Sequence, residues 1–173
     1  MALPPDEIVF RPQILLVELA RRAVRYVIVG AYAAQMQQIA GVATTDVDIV
    51  PNLDGQNLQQ LAEALHGMKA TVRVENHGAG PVGLPADGGL IAKAPILNLH
   101  LPGVGDVDVI HRAATEMDYE ALRPDAMTVR LPGSRRTVLV MSEDHWVESK
   151  RTPPVRAKDE AHLRAYDRWR EGG

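Results

Sequence analysis

The apolar positions of this chain switch between two periods. Residues 12–22 carry Ile14, Leu15, Leu19 and Ala20 near helical spacing, which predicts a helix. Residues 26–29 (YVIV) form a short run rich in β-branched residues that ends at Gly30, the pattern of a buried strand. Residues 31–40 are rich in Ala and Gln, a helical composition, and Gly41 closes them. Residues 46–50 (DVDIV) alternate polar with apolar, as a strand with one covered face does, until Pro51 and Asn52 stop them. A helix over 53–68 follows, with Leu58, Leu61, Ala62 and Leu65 on its apolar stripe.

The middle reads as sheet, with strands over 70–74, 96–101, 106–110, 127–131 and 137–141. A stretch holding Gly78, Gly80, Pro81, Gly83, Pro85, Gly88 and Gly89 predicts a long loop, with a short hairpin around 87–89. Ser142 is suited to cap a helix that runs to about residue 150, with Glu143 and Asp144 in its first turn. Pro153 and Pro154 break it, and 155–170 is a last, strongly charged helix. The order predicts an α/β or α+β sheet with helices packed on it.

Composition narrows the chemistry. The 173 residues fit one domain, with a core over 1–141 and a helical segment, 142–173, packed on it. Nineteen Lys and Arg against 22 Asp and Glu give a net charge of −3, which argues against a broad polyanion-binding surface. There is no cysteine, so disulfides, thiolate nucleophiles and Cys-ligated zinc are excluded. Pro4, Pro5, Asp6 and Glu7 stand where a signal peptide would be basic and then apolar. No apolar run reaches the roughly 18 residues of a membrane span. A cytoplasmic protein with no membrane partner is expected.

Two predicted strands carry the same unusual pattern. Asp46-Val47-Asp48 and Asp106-Val107-Asp108 each set two carboxylates two residues apart, on one side of a strand. Val47, Ile49, Val107 and Val109 then face the core. If the strands are neighbours, three or four acids converge and repel unless a cation joins them. Mg²⁺ or Mn²⁺ suits such oxygen ligands and keeps waters for a phosphate. The plainer alternative is the solvated face of an edge strand. Upstream, the 26–29 strand feeds Gly30, which opens a helix at once. Such a turn lets backbone N–H groups approach an anion, or it is simply a tight connection.

Val27–Ala33 (VIVGAYA) followed by Thr44–Val50 (TTDVDIV) resembles the nucleotidyltransferase superfamily with the DNA-polymerase-beta-like palm. Within it, the chain looks most like small bacterial minimal and AbiEii-type toxin proteins. Glu148-Ser149-Lys150 with Arg156-Ala157-Lys158-Asp159 is similar to the motif that closes many of them. The resemblance implies an α+β fold with a mixed, mostly antiparallel sheet and a short helical annex. It also implies transfer of NMP from an NTP to a hydroxyl acceptor on RNA or tRNA, a protein or a small molecule, with Mg²⁺ or Mn²⁺ as cofactor. A toxin role with a cognate antitoxin is part of the same expectation.

By position, the resemblance makes Gly30 and Ala31 the turn that holds the triphosphate, with Tyr32 and Thr45 beside the nucleotide. Asp46 and Asp48 would bind metal. Asp108 would be the third carboxylate, with Asp106 a competitor that faces the same way. Lys150 would reach a phosphate with help from Arg156 or Lys158, and Asp159 has a weaker claim to the site. Ala31 stands where relatives have Gly or Ser, and Gly41–Thr45, just before the first acidic pair, hold none of the Arg that many relatives carry there. Those departures support an alternative, an eroded nucleotide- or protein-binding module on the same fold. A third reading, an Asp/His metallohydrolase, rests on His100 and His111 flanking the second acidic strand. Arg135 and Arg136 read as a solvated hairpin tip, Trp146 and Trp169 as core or docking anchors, and Arg156 with Asp159 as a surface ion pair.

Overall fold

The protein is described by a computed structural model over residues 9–74 and 81–172. In chain order the elements are α1 (Pro12–Arg21), β1 (Tyr26–Val29), α2 (Gly30–Met36), β2 (Asp46–Pro51), α3 (Gly55–Gly67), β3 (Thr71–Val72) and β4 (Val82–Gly83). There follow α4 (Gly89–Lys93), β5 (Ile96–Leu101), β6 (Gly105–Ile110) and α5 (Tyr119–Leu122). A 3₁₀ turn, β7 (Met127–Arg130), β8 (Thr137–Val140), α6 (Glu143–Arg151) and α7 (Ala157–Glu171) complete the chain. The strands form one mixed sheet in the order β4-β3-β5-β6-β2-β1-β8-β7. Among the described residues only β2–β6 and β1–β8 are parallel; the other pairings are antiparallel, so the fold is α+β with a mostly antiparallel sheet.

The alternation seen in the sequence decides which face of each strand is covered. In β5 and β6 every second side chain is buried: Leu97, Leu99 and Leu101, then Val107 and Val109. β1 is buried at all four positions, as a central strand covered on both faces should be. With few aromatic residues to hand, the core is built from Leu, Val, Ile and Ala. Its largest fully buried side chain is Trp146. Asn57 is buried but satisfied, accepting from the Arg25 backbone N–H and donating to the Arg25 and Asn52 carbonyls, and so it ties α3 to the entry of β1.

Local signals hold at the caps. Ser142 accepts from the His145 backbone N–H, and Asp54 caps α3 through Asn57. Three expectations change. The helix after Gly30 ends at Met36, where Gln38 takes a positive φ, rather than at residue 40. No hairpin forms around 87–89: Asp87 accepts from the Gly89 N–H, an Asx turn that leads straight into α4. The first half of the expected long loop, 75–80, lies outside the described residues, and part of the rest is the edge strand β4.

Candidate active site

The site is built by strand register. β2 and β6 run parallel with Asp46 opposite Asp106 and Asp48 opposite Asp108. Their hydrophobic partners Val47, Ile49, Val107 and Val109 are fully buried below, so all four acids stand on the opposite face. On the other side of β2, antiparallel β1 sets Val29 opposite Asp48. The chain then turns into α2 at Gly30, directly beside the Asp48 carboxylate. Gly30 has a φ of +70°, and a Cβ there would collide with that carboxylate, its Cγ lying 3.1 Å away. Glycine is therefore required twice over, for backbone conformation and for room.

Three of the four acids come together. Asp46, Asp48 and Asp108 each offer a carboxylate oxygen, and these oxygens lie within 4.8 Å of one another. Asp106 is drawn away, bonded to His100 Nδ1 at 2.8 Å and to Arg73 at 3.0 Å. The geometry thus separates two residues that the sequence left as competitors. Thr44 Oγ1 bonds Asp46 and steadies it.

The electrostatics are those of a cluster compensated only in part. Burial, reinforced by Asp46 and Asp108, pushes the Asp48 carboxyl up to about 7, although Lys150 and Lys158 oppose the rise. Asp108 is also raised, chiefly by burial, with Arg73 pulling the other way. Carboxylates this close favour either a shared proton or a cation. A donor set made wholly of carboxylate oxygens matches a hard divalent ion such as Mg²⁺ or Mn²⁺. The triad could hold such an ion.

A cleft of about 580 Å³ opens at the triad. Gly30, Asp48 and Asp108 form one wall, and Lys150, Arg156 and Asp159 come from the C-terminal helices. The expected i,i+3 pair of Arg156 with Asp159 is present, with Arg156 exposed, but Asp159 is buried and is also paired with the buried Lys150. Lys150 Nζ meets Asp159 Oδ1 at 3.2 Å with both side chains nearly fully buried, and Arg156 Nε meets Asp159 Oδ2 at 2.9 Å. Burial opposes ionisation of Asp159. Hydrogen bonds from the Arg156 side chain and backbone and from Lys150 prevail, and its pKa falls well below the usual range.

The remaining expected site residues lie elsewhere. Ala31 is buried behind the turn, and Tyr32 packs edge-on against Phe10, ring centres 5.7 Å apart. Thr45 and Lys158 are exposed and stand outside the cleft wall, although Lys158 still acts on Asp48 through its charge. Neither His100 nor His111 joins the triad, for His111 Nε2 bonds the Ile91 carbonyl. Arg136 donates to the Ala20 carbonyl, docking the β7–β8 turn onto α1. Trp146 is buried, as its reading as a core or docking anchor expects, and it also contributes to the site. The indole N–H of Trp146, buried in α6, donates to the Gly30 carbonyl at 2.9 Å and fixes the turn from behind. A buried indole must find an acceptor, but nothing in the sequence says which.

No protein-family model and no curated protein sequence matches this chain. Among solved structures, a candidate nucleotidyltransferase from Thermotoga maritima is 16% identical, covers 94% of this chain and 94% of its own, and superposes with a TM-score of 0.48. An antigenic nucleotidyltransferase-like protein from Paracoccidioides brasiliensis is 17% identical, with 96% of this chain and 77% of that one covered and a TM-score of 0.51. At such identity the likeness speaks for architecture alone: this chain has a nucleotidyltransferase-like fold.

Proposed function

We propose that the protein is a divalent-metal-dependent nucleotidyltransferase, moving an NMP group from an NTP to an acceptor hydroxyl. The observation that carries this reading is the convergence of Asp46, Asp48 and Asp108 on one point beside the Gly30 turn. In the reaction the acceptor hydroxyl loses its proton, its oxygen bonds the α-phosphorus, and the bond from phosphorus to pyrophosphate breaks. A bound divalent ion would lower the hydroxyl's pKa and offset charge on the phosphates. Asp46 and Asp48 would hold it, because the strand fixes both carboxylates toward one side. Asp108, across the ladder from Asp48, would take the proton of the attacking hydroxyl or serve as a further metal ligand. Gly30, lacking a side chain, lets the triphosphate lie close to the backbone. Lys150 and Arg156 supply positive charge across the cleft, where the leaving pyrophosphate gathers its own. Alignment and charge neutralisation are nearly all such a reaction asks of a protein.

The acceptor is RNA, a protein or a small molecule, and a toxin paired with an antitoxin is the biological setting suggested by the sequence resemblance. The test is transfer of label from α-³²P NTPs, with Mg²⁺ or Mn²⁺, into RNA, protein and small-molecule fractions of a cell extract. Label that appears with the native chain and vanishes with Asp46→Ala supports the reading. NTP binding without transfer in any fraction would instead identify a nucleotide-binding module, the role that Ala31 and the missing arginine would favour.

A further inference from the structure

Arg73, which follows β3, has no role in the chemistry above, yet its side chain reaches the site. Its backbone N–H is fixed to the Asn98 carbonyl at 2.9 Å, and its guanidinium spans two acids of β6. Nη1 meets Asp106 Oδ2 at 3.0 Å, while Nη2 meets Asp108 Oδ1 at 2.7 Å. His100 Nδ1 holds the other Asp106 oxygen. Asp106 is thus saturated by side chains that belong to the fold, whereas Asp108 is shared between an arginine and the triad. A planar fork suits two carboxylates on one strand; a lysine could not bridge both in the same way.

We propose that Arg73 is a positioning residue that holds the third carboxylate closed, so that a divalent ion must take Asp108 from it. Asp106, backed by His100, keeps the guanidinium tethered when that exchange occurs. The doubled acidic motif then has a division of labour, with Asp108 serving the ion and Asp106 serving the arginine. This inference rests on the metal reading of the triad.

Calorimetric titration of the full chain with Mn²⁺ alone tests it, using Arg73→Gln and Arg73→Lys. Arg73→Gln should bind Mn²⁺ about two- to fivefold tighter than the native chain, the scale of one partly exposed ion pair. Arg73→Lys keeps the positive charge but loses the fork, and should also bind tighter, by a smaller factor. Native affinity in both variants, or weaker binding in Arg73→Gln, overturns the latch. Tighter binding in Arg73→Gln with native affinity in Arg73→Lys also overturns it, because charge alone would then account for the effect. If the glutamine variant does not fold, native affinity in the lysine variant is enough to reject the proposal. A native chain that takes up no Mn²⁺ refutes the metal reading, and this inference falls with it. Mn²⁺ uptake by the native chain with unaltered variants removes only this inference.

Discussion

Asp48 and Asp159 are both carboxylates drawn out of water on opposite walls of one cleft, and their surroundings treat them in opposite ways. Asp159 receives Lys150 and Arg156 and is held ionised. Asp48 receives two more carboxylates and is pushed toward protonation. The first arrangement is what a fold does to stabilise itself. The second costs stability and makes sense where a ligand completes it. Charge balance, more than burial or position, distinguishes the frustrated acid from the acid that braces.

The largest expected effect comes from exchanging charge for shape at the frustrated acid. Asp48→Asn should lower the transfer rate by several powers of ten, as loss of preorganised charge stabilisation does, measured by label transfer at saturating Mg²⁺. The same variant, free of divalent ions at pH 8, should be more stable by about 1–2 kcal/mol in urea denaturation, since a buried like charge is gone. A loss of stability there would show that Asp48 is not frustrated.

Asp159→Asn should do the reverse. It leaves Lys150 buried without its counter-ion, and unfolding should become easier by about 3 kcal/mol. A change below about 1 kcal/mol would make the cluster an ordinary surface pair.

Gly30→Ala comes next. The positive φ and the collision with Asp48 together should cost about 2–3 kcal/mol and should cut metal affinity along with stability. Wild-type stability in that variant would mean the turn is looser than described.

The pH dependence is a subtler probe. An Asp48 raised from an unfolded value near 4 to about 7 binds more protons folded than unfolded across that window. Stability of the metal-free chain should therefore fall as pH rises from about 4 to 7 and level off above, by about 2 kcal/mol after allowance for solvent access. Saturating Mn²⁺ should flatten the slope. Asp159, with its pKa depressed, stabilises the fold above about pH 4 and is felt only on acidification below it. The smallest effect is expected from Trp146→Phe, which keeps most of the packing and loses the bond to Gly30; about 1 kcal/mol is the scale of one neutral hydrogen bond.

The contrast between the two acids also marks how far a sequence can be read. Period-2 alternation in DVDIV and DVDVI is a local signal, and it gave both strands and their buried faces. Gly30 announced its turn because no other residue is so often needed at such a bend. The i,i+3 arginine of Asp159 is visible in the sequence, but its buried partner Lys150, nine positions away on a different helix, is not. Trp146 and Gly30 are 116 residues apart, and Arg73 meets Asp108 across 35. Such pairings belong to tertiary packing and leave no periodic trace. The short α4 and two-residue β4 escaped for a simpler reason, since neither is long enough to complete a pattern.

The in-register parallel ladder between β2 and β6 has one more consequence. It fixes the acid geometry by backbone pairing, whatever the length of the connection from Asn52 to Val104. Insertions or exchanges in that connection change what lies beside the acids, and how tightly Arg73 grips, while the pairing of the two acidic strands stays put. A scaffold arranged in this way can change the neighbourhood of its acids by editing a single excursion of the chain.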